Sequence, residues 1–276
     1  MTNSWSNSAS GGRDAQPAID TSVAHPARVY DYWLGGKDNY PADRAAGAAA
    51  AEANPAILIG VRANRSFLRR AVRFLAADAG VRQFLDVGTG LPSANNTHEV
   101  AQAIAPEARI VYVDNDPIVL AHARALLTST AEGATAYVNA DARDPEKILQ
   151  AAAQTLDFGQ PVAVMTLMIM QYIPDSDDPH GIIARLLAGL PSGGYLAASD
   201  TAKDIDAETV ATATGRLNQR MGAQLTPRTK AQIGAYFSGL EMVEPGLVPL
   251  NRWRPGPDDP ALDRDLPTYC GIGRKP

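Results

Sequence analysis

Residues 84–92, FLDVGTGLP, constrain the fold more than any other stretch of this chain. A short apolar run ends in Asp86, glycines follow at 88 and 90, and a helical pattern opens near Asn95. A second apolar run, ARIVYVDND, carries Asp114 to its end. Strand, glycine turn, helix, strand, acid is the order in which an open α/β sheet builds a nucleoside site. Glycine lets the main chain bend sharply and approach a ligand with no Cβ in the way. The same glycines would also serve a plain strand-to-helix turn. A carboxylate after the second strand suits a ribose diol, because it accepts two hydroxyl hydrogen bonds, each contributing roughly 1.5–3 kcal/mol net.

The turn departs from a dinucleotide fingerprint, which places a third glycine or alanine after two intervening residues. Here that small position is Ser93, preceded by Leu91 and Pro92. Proline removes an N–H from the loop and makes a tight pyrophosphate cradle harder to build. These departures favour S-adenosylmethionine (SAM) as the ligand over a nicotinamide dinucleotide.

From 83 onward, strand and helix patterns alternate. Strands are predicted near 83–88, 109–114, 135–139, 161–167 and 194–199, with helices near 95–104, 117–129, 144–154 and 179–190. Such alternation predicts a parallel sheet with helices on both faces. After Asp200 the pattern changes. Helices near 206–221 and 228–236 precede two strands, EMVEPGLVPL and TYCGIGR, joined by a proline- and charge-rich loop. Strands joined without a helix predict an antiparallel pair at the sheet's end, where a dinucleotide-binding fold would repeat its βαβ half. Residues 1–16 are polar and predicted to be a disordered tail, with order starting near Ile19. Residues 17–80 read as a helical N-terminal cap and 81–276 as the nucleoside-binding domain. The arginines at 62, 65, 69, 70 and 73 read as a solvated helix face.

With 276 residues and a net charge of −5, the chain is expected to be neither a general nucleic-acid binder nor a membrane protein, since no apolar run is long enough to span a bilayer. No basic-then-apolar leader opens it. The single cysteine, Cys270, excludes an intrachain disulfide and fits a reducing cytoplasm. His25, His98, His122 and His180 show no metal-ligand spacing with Cys270, so no metal is expected.

Three stretches carry a resemblance: IDTSVAHPARVYDYWLGGKDNYPADR at 19–44, VRANRSFLRRAVRFLA at 61–76, and FLDVGTGLPSANNTHEVAQ at 84–102. With them the chain resembles class I SAM-dependent methyltransferases, and more closely an actinobacterial SAM-dependent methyltransferase family once catalogued as a domain of unknown function. The resemblance covers about Ile19 to Lys275. It implies a Rossmann-like, seven-stranded, mostly parallel sheet with an antiparallel last strand and a helical N-terminal cap. It implies SAM as cofactor, S-adenosylhomocysteine (SAH) as product, and methyl transfer to an acceptor, expected to be a small molecule. Relatives often carry Leu-His before the Pro-Asp that follows the fourth strand, where this chain has Gln171. That departure keeps a non-catalytic SAM-binding regulator as an alternative, beside an NAD-dependent oxidoreductase.

The expected cofactor contacts follow the motifs. Asp86, Gly88, Thr89 and Gly90 would pass under the amino-acid end, Asp114 would take the ribose, and Asn115, Asp141 and Ala142 would flank the adenine. Leu167 and Met168 leave the fourth strand near the methionine part. In the cap, Tyr30, Tyr32 and Trp33 lie within one helical turn; aromatic faces stabilise a sulfonium by about 0.5–2 kcal/mol, although the same rings would equally dock the helix on the sheet. Gly35 and Gly36 read as a hinge. Arg28, Asn64 and Arg65 are expected near a carboxylate, because guanidinium bonds both of its oxygens. Asp116 and Asp144, each before a proline, read as helix caps. His25, Tyr30, Tyr172 and Asp200 are the candidates for a general base, should the acceptor need to lose a proton.

Overall fold

The strand patterns hold because residues on both faces of each central strand find a core. In the computed structural model, which describes residues 20–126, 128–257, 259 and 262–276, β1 (Gln83–Val87) is buried at every position. The tail expected at 1–16 and the onset of order at Ile19 lie outside the described residues. Phe84 packs with Phe67, Leu75, Ile110 and Met165 on one face, while Leu85 and Val87 pack with Val111, Val113, Ile148 and Ile182 on the other. This is the two-residue alternation of a sheet covered on both sides.

The chain opens with α1 (Pro26–Leu34), α2 (Pro41–Ala53) and α3 (Ile57–Arg73). After β1 come α4 (Thr97–Gln102), β2 (Arg109–Asp114), α5 (Pro117–Leu126), β3 (Ala134–Asn139), α6 (Pro145–Ala152) and β4 (Ala163–Leu167). Then follow α7 (Pro179–Ala188), β5 (Tyr195–Thr201), α8 (Ala207–Asn218), α9 (Lys230–Gly234), β6 (Glu241–Met242), β7 (Val248–Pro249) and β8 (Thr268–Arg274). The caps expected from sequence are in place. Asp116 Oδ1 accepts the Ile118 N–H at 2.9 Å, and Asp144 caps α6 through the Lys147 N–H at 3.1 Å.

The sheet order is β3-β2-β1-β4-β5-β8-β6, with β7 also on β8. β1 to β5 run parallel and β8 is antiparallel to β5. The strand count is eight rather than seven because EMVEPGLVPL is not one strand. Gly246, at φ 83°, turns the chain within it, and the two halves pair with successive parts of β8: Met242 with Gly273, and Val248 with Cys270. Strand order reverses between β1 and β4, the switch point at which an open α/β sheet opens a crevice.

A third cluster makes the cap. Val29 and Trp33 of α1 and Ala46 and Ala50 of α2 pack with Leu217 of α8. Thus α8, which follows the parallel sheet in sequence, completes the N-terminal layer; the small side chains of α2 let both neighbours approach it. The arginine run of α3 is not uniformly solvated. Arg62 and Arg73 are exposed, but Arg70 reaches the Trp253 and Leu250 carbonyls and Asp259. Among the described residues, no helix is long and apolar enough to cross a membrane.

Candidate active site

The carboxyl ends of β1 to β4 face the cap across a cavity of about 450 Å³, within the roughly 300–1,000 Å³ range of small-molecule sites. Its floor is the glycine turn. Gly88 (φ 74°) and Gly90 (φ 67°) both take backbone conformations that favour glycine. Gly88 donates its N–H to Val113 O at 2.8 Å, and a Cβ there would collide with the Ile169 side chain. Beside Gly90 a Cβ would meet nothing within 4 Å. Thr89 Oγ1 donates to Asp86 O at 3.1 Å and locks the bend.

Asp114 ties the turn to the end of β2. Its Oδ2 accepts the Gly90 N–H and its Oδ1 the Asp116 N–H, each at 2.9 Å. Burial raises its pKa, partly offset by those two N–H groups. Asp86 is also buried and accepts the Thr97 hydroxyl at 2.6 Å. Burial raises its pKa against the pull of that hydroxyl and of Arg65. Arg65, on α3, donates to Ala94 O and Asn95 O at 3.1 Å and so fastens the cap to the loop after the glycines.

Asp141 lies across the cavity, gripped by Arg143 through two bonds of 2.9 and 2.6 Å that lower its pKa. Arg143 lines the cavity too, and was not singled out from sequence; its place two residues after Asp141 in NADARDP was the available signal. Above, Asp31 organises the loop after α1. Its carboxylate accepts the Asp38 N–H at 3.0 Å and the Asn39 amide at 2.8 Å, and Gly35 (φ 80°) ends the helix.

A family model described as S-adenosyl methyltransferase matches residues 12–276. The chain belongs to that family. It is a SAM-dependent methyltransferase, which sets aside the oxidoreductase alternative. A DUF574 family protein from Streptomyces avermitilis is 47% identical, with a TM-score of 0.91 over 94% of this chain and all (100%) of that one. A proposed methyltransferase from Thermobifida fusca is 39% identical, with a TM-score of 0.85 over 94% of this chain and 97% of that one. A SAM-dependent methyltransferase from Anabaena variabilis shares the fold at 14% identity, with a TM-score of 0.50 over 75% of this chain and 83% of that one. No protein of curated function matches.

The cavity of this methyltransferase brings together most of the cofactor residues expected from sequence: Tyr30, Gly35, Asn64, Arg65, Asp86, Gly88, Thr89, Gly90, Asp114, Asn115, Asp141, Ala142 and Leu167 all line it. Their chemistry fits SAM. A carboxylate has about four acceptor positions, and Asp114 uses two on the chain, leaving two for a diol. Near the glycine turn, the buried Arg65 Nε and Ser93 Oγ have no hydrogen-bond partner, as suits a group bearing acceptor oxygens. Asn64 is more committed than the sequence implied. Its Oδ1 accepts the Ser199 hydroxyl at 2.8 Å and its Nδ2 donates to Tyr30 Oη at 3.1 Å, so its work within the chain is to position Tyr30.

The general-base candidates separate. Asp200 does not line the cavity. It is fully buried, accepting from Tyr236 Oη and the Thr201 N–H at 2.9 Å, with Arg228 at 3.4 Å; burial raises its pKa to about 7. It is a structural anchor, because its oxygens face the chain's own donors. Tyr30 donates its hydroxyl proton to Val61 O at 3.1 Å, and burial raises its pKa, as it does for Tyr172. Neither phenol is poised to ionise near neutral pH. His25 pairs with Asp116 at 3.0 Å, two residues beyond Asp114, which puts it at the end of β2. Arg28 is another correction. It is buried against Asp43, with its Nη2 on the Asp20 and Val23 carbonyls, and holds the start of the cap instead of facing the cavity. Tyr32 packs toward Gly47 of α2 and Trp33 donates to Gly47 O, so of the three aromatics only Tyr30 reaches this cavity. Gln171 is buried with its Oε1 on Thr201.

Proposed function

We propose that this methyltransferase holds SAM across the carboxyl ends of β1 to β4 and methylates a small molecule that enters past Tyr30 and Met168. The observation that carries the cofactor placement is Asp114: a buried carboxylate at the end of β2, with two acceptor positions left, beside the open face of Gly90. Asp114 takes the ribose hydroxyls, and Asn115, Asp141 and Ala142 flank the adenine. Asp86 attracts the ammonium and Arg65 the carboxylate of the amino-acid end. Leu167 lies along the methionine part, Tyr30 presents a ring to the sulfonium, and Gly35 lets the loop over the cavity move.

SAM supplies a methyl group already activated by its sulfonium, so the chain has to align the acceptor and keep water out. The states of Tyr30, Tyr172 and Asp200 agree with this, since burial raises the pKa of both phenols and Asp200 does not line the cavity. The cap over the cavity and the net charge of −5 favour a small acceptor over a nucleic acid. The sole thiol, Cys270, is buried and free, in keeping with work in the cytoplasm.

Calorimetric titration of SAM into the purified protein tests this placement. Micromolar binding, about −8 kcal/mol, with a large loss in Asp114→Ala, is the expected result. Wild-type affinity in that variant would overturn the assignment. Formation of SAH with one fraction of a metabolite extract, and not with RNA or DNA, is the expected result for the acceptor.

A further inference from the structure

A second cavity, of about 70 Å³, adjoins the first, and Tyr30 and Met168 line both. Trp33 of α1, Val61 of α3, and Val210, Ala213 and Leu217 of α8 form its walls, and Gln171 also faces it. We propose that this recess receives the body of the methyl acceptor, and that the acceptor is uncharged and carries a small ring or short branched chain. The proposal rests on the SAM placement above and deepens it.

Continuity is the first argument. Met168 leaves β4 with φ 59°, a left-handed backbone that a non-glycine side chain adopts only when its surroundings impose it. Its N–H is held by Ser199 O at 2.9 Å. Through this turn Met168, like Tyr30, borders both cavities. Charge is the second argument. Among the described residues, no Asp, Glu, Lys, Arg or His lines the recess. An ion entering it would lose hydration with no counter-ion to replace it. Size is the third. A water-sized body needs roughly 10–15 Å³ of such space, so about 70 Å³ admits a handful of heavy atoms. Gln171 adds a polar preference. Its oxygen is already taken by Thr201 and one amide N–H by the Tyr172 hydroxyl, so the second N–H is left, which suits a hydroxyl, ether or carbonyl oxygen.

Trp33 in the wall gives a readout independent of turnover. Three probes of one shape are titrated while tryptophan emission is followed, with and without saturating SAH: cyclohexanol, cyclohexylammonium and cyclohexanecarboxylate. Cyclohexanol is expected to give a saturable change at concentrations at least tenfold below either ion, and the change is expected to vanish in Trp33→Phe. Ala213→Phe, which fills the recess from α8, is expected to weaken cyclohexanol at least tenfold and leave the calorimetric SAM affinity unchanged. Val210→Phe serves the same purpose should Ala213→Phe fold poorly. Equal binding of the ions, no response to cyclohexanol, or a response untouched by both filling variants would overturn the proposal. Failure of SAH to bind would overturn the SAM placement instead, and the titration without SAH would still decide the recess.

Discussion

Asp114 grips Gly90 and Asp116 with separate oxygens, so its loss loosens the turn and removes the ribose contact together. At roughly 1.5–3 kcal/mol for each of two hydrogen bonds to a charged group, Asp114→Ala is expected to weaken SAM binding by at least about 100-fold in calorimetry. Asp86 gives a pH prediction. Burial lifts its pKa in the free protein, and the SAM ammonium, which favours the carboxylate, lowers it on binding. Affinity is therefore full above the raised pKa of the free protein and falls as pH drops through it. The decline begins at higher pH than for an exposed aspartate, and Asp86→Asn is expected to flatten it while lowering affinity throughout. A decline of the same shape in that variant would assign the titration elsewhere.

Elements matter through what fastens them. The glycine turn is pinned from below by Ile169, so Gly88→Ala pushes a methyl group into that side chain and strains a left-handed backbone. A loss of about 1–3 kcal/mol in urea denaturation is expected, with weaker SAM binding. The loop after β4 is fastened by Arg228, which is fully buried and donates to Met170 O, Ile173 O, Asp175 and Asp200. Arg228→Met leaves Asp200 buried without its cation, and a loss of about 3–5 kcal/mol is expected. The same denaturation experiment checks it. Sequence placed this loop after the fourth strand and placed Asp200 at the end of the fifth. It did not reveal the arginine between them, because Arg228 lies 53 residues from Asp175 and 28 from Asp200 and no local pattern relates positions that far apart.

At the scale of the molecule, the cap and α8 enclose what the sheet exposes. Ala46 sits between α1 and α8 with no exposed surface. Ala46→Leu is expected to cost about 1–3 kcal/mol through overpacking, read as a lower midpoint in thermal unfolding. Much of this architecture was legible beforehand. The five parallel strands, the glycine turn, and the caps at Asp116 and Asp144 each depend on a handful of adjacent residues, and periodicity and turn chemistry act over that range. The N-terminal helices were legible for the same reason. Other features were not. EMVEPGLVPL has the composition of one strand, yet Gly246 breaks it so that both halves pair with β8. Arg28 and Asp200 carry the right chemistry for a site, but their partners, Asp43 and Arg228, are chosen by packing. Sequence alone therefore determined the five parallel strands, the turn and the acid at the end of β2, because local backbone preferences encode them. Only the tertiary structure decided which polar groups face the cavity, which are spent on the chain itself, and that a second recess opens beside Met168. Those outcomes depend on long-range packing, which brings α1, α3, α8 and the strand ends to one place.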